Sequence, residues 1–212
     1  MRQRFDIIYA ETQTRCEVNK IIDTIIEETG GIFSSADAQR MGISRTMLGK
    51  YVKSGLLERV AHGVYAAGDA LLDGLYVLQL RSPRLVFSHE TALWLNGLTD
   101  RDPLTVAVTI PSGAPLGARL RSECVSHYVK PELMELGLSK AKTIYGREVR
   151  CYSPERTICD IVRSEARTGV ENFFGGLKAY AARRDKDISE LMKIASAFGI
   201  EETVSKYMGV LT

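Results

Sequence analysis

Between residues 40 and 62 the chain places Arg40, Arg45, Lys50, Lys53 and Arg59 against one acid, Glu58. The whole sequence has a formal net charge of only +2, so this cluster is a local concentration of positive charge. If ISRTMLGKYVK is helical, Arg45, Thr46, Gly49, Lys50 and Lys53 share one side, opposite Leu48 and Val52. Such a helix fits the major groove of duplex DNA. There Arg can pair with guanine edges, Thr can contact base or phosphate, and Gly49 permits close backbone approach. Lys50 and Lys53 lie toward the C-terminal end and are expected to grip phosphate, because the N-terminal residues of a recognition helix reach the bases. Arg59 and His62 would follow on a wing beside the backbone or minor groove. Ser34, Ser35, Arg40 and Ser44 complete the expected DNA-facing set. A solvated surface would explain any one of these side chains; the arrangement as a whole points to nucleic acid.

The elements that must position this set are legible around it. Residues 17–29 carry Val18, Ile21, Ile22, Ile25 and Ile26 at helical spacing, and Gly30 and Gly31 end that helix. In FSSADAQRMG, Ser34 or Ser35 can cap a short second helix that Gly42 stops. Ser44 caps the third helix, with Leu48, Tyr51 and Val52 inward and Gly55 at its end. LLERVAHGVYAAG then changes period: Leu57, Arg59 and Ala61 alternate with Glu58, Val60 and His62, and Val64 and Tyr65 resume an extended run after Gly63. That is a hairpin pattern. Three helices and a basic hairpin make a winged helix-turn-helix.

The remaining chain reads as a second, α+β region starting near residue 71. LLDGLYVLQLRSP is a helix stopped before Pro83, and SHETALWLNGL is another, capped by Ser88 and closed by Gly97. LTVAVTIP and CVSHYV are strands, and KTIYGREVRCY is two strands joined at Gly146. SPERTICDIVR opens a helix with Ser153 at the cap and Pro154 in the first turn. Helices over roughly 170–183, 187–198 and 201–208 complete the region, by the same periodicity argument.

Enzymatic chemistry finds little support in these residues. Asp100 and Asp102 in TDRDP have no Gly-Ser phosphate loop before them, and Pro103 makes a turn more natural. His62, His89 and His127 are too scattered to suggest zinc, and no cofactor site is legible. Glu155 suits a helix start, while Arg156 and Asp160 suit an i, i+4 ion pair. His89 and Glu90 read as structural, and Trp94 as core. Lys178, Arg183, Arg184 and Lys186 form a late basic run that could extend a DNA track, diluted by Asp185 and Asp187. Cys16, Cys124, Cys151 and Cys159 contain no C-x-x-C pair and are expected to be free thiols. With 45% hydrophobic and 25% charged residues, the composition is that of a folded domain. No signal-peptide or membrane-spanning stretch is evident, so a cytoplasmic location is expected.

Three segments together resemble the AbiEi-type antitoxins of type IV, abortive-infection toxin–antitoxin systems that act in phage defence. They are FSSADAQRMGISRTMLGKYVKSGLLERVAHGVYAAG, then VFSHETALWLNGLTDRDP with LTVAVTIP, and YSPERTICDIV, covering about residues 18–165 in order. The resemblance implies a non-enzymatic repressor whose N-terminal winged helix binds inverted repeats in its own promoter. It also implies a C-terminal domain that counters a nucleotidyltransferase-like toxin without a stable complex. The corresponding domains would span 1–70, including a short N-terminal extension, and 71–212. The alternative is a stand-alone regulator whose second domain senses a small molecule.

Overall fold

The computed structural model describes residues 20–115 and 117–211. The fold is α+β, and its described residues fall into two compact units, one ending at Pro83 and the other beginning at Arg84. Cys16, Val18 and the N-terminal extension lie outside the described residues. Among the described residues, no helix is long and apolar enough to cross a membrane.

In the first unit, helix α1 (residues 20–29) turns Ile22 and Ile25 into the core and ends at Gly30 and Gly31, both at positive φ. Strand β1 (Ile32–Ser34), helix α2 (Ser35–Arg40) and helix α3 (Arg45–Lys53) follow, then β2 (Leu57–Ala61), β3 (Val64–Ala67) and helix α4 (Gly74–Arg81). The sheet order is β1-β3-β2, antiparallel throughout. The sequence pattern predicts only the β2–β3 hairpin; three residues of β1 are too few to show an alternation. Gly31 permits this third strand. Its carbonyl accepts from Ala67 N–H at 2.8 Å, and a Cβ there would come within 2.8 Å of Ala70 Cβ.

Helix α4, expected to open the second region, belongs to the first unit. Tyr76, Val77 and Leu80 pack on the buried Ile32, Ala61, Val64 and Ala66 of the small sheet. The division therefore falls after Pro83 rather than at residue 70, because the sheet face behind the wing needs a cover.

In the second unit, strands β4 (Val86–Phe87), β5 (Val106–Pro111), β6 (Cys124–Val129), β7 (Leu138–Lys142) and β8 (Glu148–Tyr152) form a mixed sheet ordered β6-β5-β4-β8-β7. Helices α5 (His89–Leu95), α7 (Pro154–Arg163), α8 (Val170–Ala182), α9 (Ile188–Phe198) and α10 (Glu201–Leu211) enclose a core of Leu93, Ile158, Ile161, Phe173, Leu177 and Ile194. A short helix α6 (Ala118–Glu123) precedes β6. Strand β7 starts earlier than KTIY suggests. Thr143 N–H donates to Arg147 O and Gly146 N–H to Thr143 O, which closes a turn and leaves Ile144 and Tyr145 exposed. Trp94 is half-buried, with its neighbours Ala92 and Leu93 taking the core positions.

Candidate nucleic-acid interface

Helix α3 starts at Ser44, whose hydroxyl accepts from Met47 N–H at 3.3 Å and satisfies one of the free donors of the first turn. One face buries Leu48 and Tyr51 against Ile22, Ile25, Phe33, Ala38, Ile43 and Leu57. The other face exposes Arg45, Thr46, Gly49, Lys50 and Lys53. None of those three cations forms an ion pair with a described residue. Burying Leu48 contributes about 1.5–3 kcal/mol and fixes which side looks outward. Gly42, at φ +86°, makes the turn between α2 and α3.

The wing is held to this helix pair by its backbone. Ser35 N–H donates to Gly63 O at 2.7 Å at the hairpin tip, where Gly63 takes φ +71°. Strict alternation would put Arg59 on the buried side with Leu57 and Ala61. A bulge intervenes: Glu58 pairs with Ala66 and Ala61 with Val64, so Arg59 and Val60 together face one residue of β3. Arg59 is thereby exposed beside His62, and its Nη2 donates to His62 Nδ1 at 3.1 Å.

Like Ser44, which caps α3, Ser34 and Arg40 of the expected DNA-facing set have partners within the fold, and Ser35 is partly covered. Ser34 caps α2: its hydroxyl accepts from Asp37 N–H at 3.1 Å and donates to Asp37 Oδ2 at 2.6 Å, while Asp37 Oδ2 also accepts from Ser34 N–H at 2.9 Å. These hydrogen bonds and Arg40 together hold the Asp37 carboxyl below its usual range, against the opposing effect of burial, which is the largest single influence. Arg40 forms an ion pair with Asp37, an acid just outside the basic window, so its charge is largely compensated. Ser35 is half-buried at the start of α2, facing the hairpin tip.

The late basic run also divides. Arg183 pairs in bidentate fashion with Asp185 at 2.9 and 2.7 Å and donates to Asn96 O at 2.9 Å. Lys186 Nζ donates to Ala181 O and Arg183 O, satisfying carbonyls at the end of α8. Of that set, Lys178 and Arg184 are exposed.

In the second unit, the Arg156–Asp160 pair has the expected spacing but is wholly interior, with Nε and Oδ1 3.1 Å apart. Glu155, also buried, accepts from Tyr180 Oη and Asp187 N–H. Asp102 lies on an open cavity of about 680 Å³ with Glu90 and Arg101. Ser88 occupies the N-cap of α5 but its side chain makes no cap hydrogen bond; the hydroxyl accepts from Thr109 Oγ1 at 2.8 Å and meets His89 Nδ1 at 3.0 Å. Cys124, Cys151 and Cys159 form no disulfide among the described residues and are buried, and burial pushes the latter two thiols up to about 12. Two histidines that looked scattered, His89 and His127, stack face to face. No cluster of three or more His, Cys, Asp or Glu residues suited to a metal occurs among the described residues.

Residues 20–68 match the family model described as "Transcriptional regulator, AbiEi antitoxin". The matched segment spans the three helices and the wing. The chain is also similar to the crystal structure of the RV2827C protein from Mycobacterium tuberculosis, with TM-score 0.61 and 15% identity over 90% of this chain and 76% of that one. At that identity the likeness shows the fold alone. No curated protein matches the sequence.

Proposed function

We propose that this chain, whose winged-helix segment matches the AbiEi antitoxin regulators, represses its own promoter by seating α3 in the major groove of inverted repeats. In this reading Arg45 and Thr46 reach base edges, Lys50 and Lys53 grip phosphates, and Arg59 with His62 follows the flanking backbone. One observation carries the proposal. A capped helix presents three cations that pair with no described residue on the side opposite its buried anchor, beside a wing whose bulge turns a fourth outward. The second unit then serves to counter a nucleotidyltransferase-like toxin, without a stable complex between the two proteins.

The test is fluorescence anisotropy on a promoter duplex and on a scrambled duplex of equal length. Arg45→Ala should weaken promoter binding by about 1–3 kcal/mol and relax preference at one base pair, because a bidentate Arg–guanine contact is lost. In cells, the same variant should derepress a promoter fusion while still protecting against the toxin. Equal affinity of the parent and the variant for both duplexes would overturn the docking.

A further inference from the structure

The second unit contains a polar cavity of about 260 Å³ whose lining the DNA reading does not use. On one side, His89 at the start of α5 and His127 on β6 stack with centroids 3.3 Å apart and planes 14° from parallel. His89 is buried and takes φ +49°, a conformation uncommon for a residue with a side chain. Both its nitrogens are engaged, Nδ1 with Ser88 Oγ at 3.0 Å and Nε2 with Ser164 Oγ at 3.1 Å. Strain of this kind persists where the surroundings over-determine it, and it concentrates at functional sites.

Arg156, Arg163 and Arg167 line the same cavity together with one carboxylate, Asp160. Arg156 is fully buried, with its guanidinium over the Tyr152 and Phe198 rings at 4.0 and 4.5 Å. Its Nη1 donates to Leu133 O and Leu136 O, and its Nε to Asp160 Oδ1. Four buried atoms are left without a hydrogen-bond partner among the described residues: Arg156 Nη2, Asp160 Oδ2, His127 Nε2 and Ser126 Oγ. Native interiors leave few such groups, each costing about 1–3 kcal/mol. The residues bearing all four line this one cavity.

Their chemistry selects a ligand. Three guanidiniums against one carboxylate favour an anion, and planar Arg donors match the oxygens of an oxyanion. The volume lies below the roughly 300–1,000 Å³ of drug-sized pockets, which suits a small group. Asp160 adds a restriction. A buried Arg156 requires a counter-anion, so the carboxyl is ionised although burial raises it, and its free Oδ2 can only accept. An acceptor inside an anion pocket calls for an oxyanion that carries a proton.

We propose that this cavity binds a protonated oxyanion of the phosphate class, either inorganic phosphate or the monoester end of a small metabolite. Arg156 Nη2, Ser126 Oγ, His127 Nε2 and the Arg163 and Arg167 guanidiniums donate to its oxygens, and Asp160 Oδ2 accepts from its P–OH. A DNA phosphodiester has no such proton, so this site and the α3 interface stand or fall separately. The cavity would give a small-molecule-sensing regulator its effector site.

The experiment is calorimetric titration of the full chain, in zwitterionic buffer with chloride, by inorganic phosphate, glycerol phosphate and sulfate in turn. The imidazole NMR signals of His127 give a second readout. Saturable binding of one phosphate per chain is expected, with a shift at His127. Sulfate has no proton to donate and should bind about tenfold or more weakly, the effect of one buried acceptor left unpaired. Tighter binding of the monoester or of the free ion names the source, and either result upholds the site. Arg167 is exposed and has no hydrogen bond from its side chain to a described residue, so Arg167→Ala should keep the parent's thermal stability while losing about tenfold in phosphate affinity. Ser126→Ala provides a second intact variant with the same direction of effect. No saturable binding at millimolar phosphate, or equal binding of sulfate, would overturn the proposal.

Discussion

Acidification probes the stacked imidazoles directly. In the folded chain the pKa of His89 is pushed down to about 3, by burial first and then by Arg163, Arg156 and Arg167. That of His127 is pushed down to about 4, by burial and then by His89, with Asp160 opposing. Below the ordinary value of 6.5 the unfolded chain takes up protons that the folded chain refuses. Stability is therefore fully present above pH 6.5, falls as the pH drops from there, and stops falling once the folded pKa values near 4 and 3 are passed. At pH 5 the unfolded state is 1.5 units below its pKa, which at about 1.36 kcal/mol per unit is about 2 kcal/mol for the buried His89. Solvent around the half-buried His127 reduces its share, to about 1 kcal/mol. A loss of about 3 kcal/mol is a large part of an ordinary stability of roughly 5–15 kcal/mol. Trp94 is the sole tryptophan and sits on α5, so its fluorescence reports the second unit. Urea melts at pH 7, 6 and 5 should show the parent losing more stability than His127→Phe, which keeps a ring in the stack without a titrating group. If both proteins lose the same amount, the imidazoles titrate normally and the reasoning fails.

Two further substitutions separate structural from DNA-facing roles. Gly137→Ala would force φ +68° on an alanine and place its Cβ 2.5 Å from Arg156 Cβ, so urea melts should show destabilisation of about 3 kcal/mol or more. Ser34→Ala removes the α2 cap and should lower stability by about 1 kcal/mol in thermal melts, while the salt dependence of DNA binding stays unchanged.

The helical head was legible because its local signals agree: Ser44 caps, Gly42 and Gly55 stop, and Leu48 and Tyr51 anchor opposite the cations. Arg59 is exposed on the wing, and alternation alone does not account for its position. The β2 bulge does, and a bulge has no periodic signal. The engagement of Ser34 and Arg40 by Asp37 is not legible in the basic window, because Asp37 lies just before it. The i, i+4 spacing revealed the Arg156–Asp160 pair but not its burial, since charged residues ordinarily lie outside. The imidazole stack was invisible for a topological reason. His127 meets α5 only because β5 pairs antiparallel with β4 and parallel with β6, a register that sets Thr109 beside His127.

The docking of α3 is tested most directly by the salt dependence of promoter binding, measured for the parent and for the double variant Lys50→Ala with Lys53→Ala. Each phosphate contact releases counterions and contributes about 0.9 to the slope of log affinity against log salt. Loss of both lysines should therefore flatten the slope by about 2 and weaken all duplexes alike. An unchanged slope and affinity, or a parent protein that ignores duplex DNA at low ionic strength, would contradict the account.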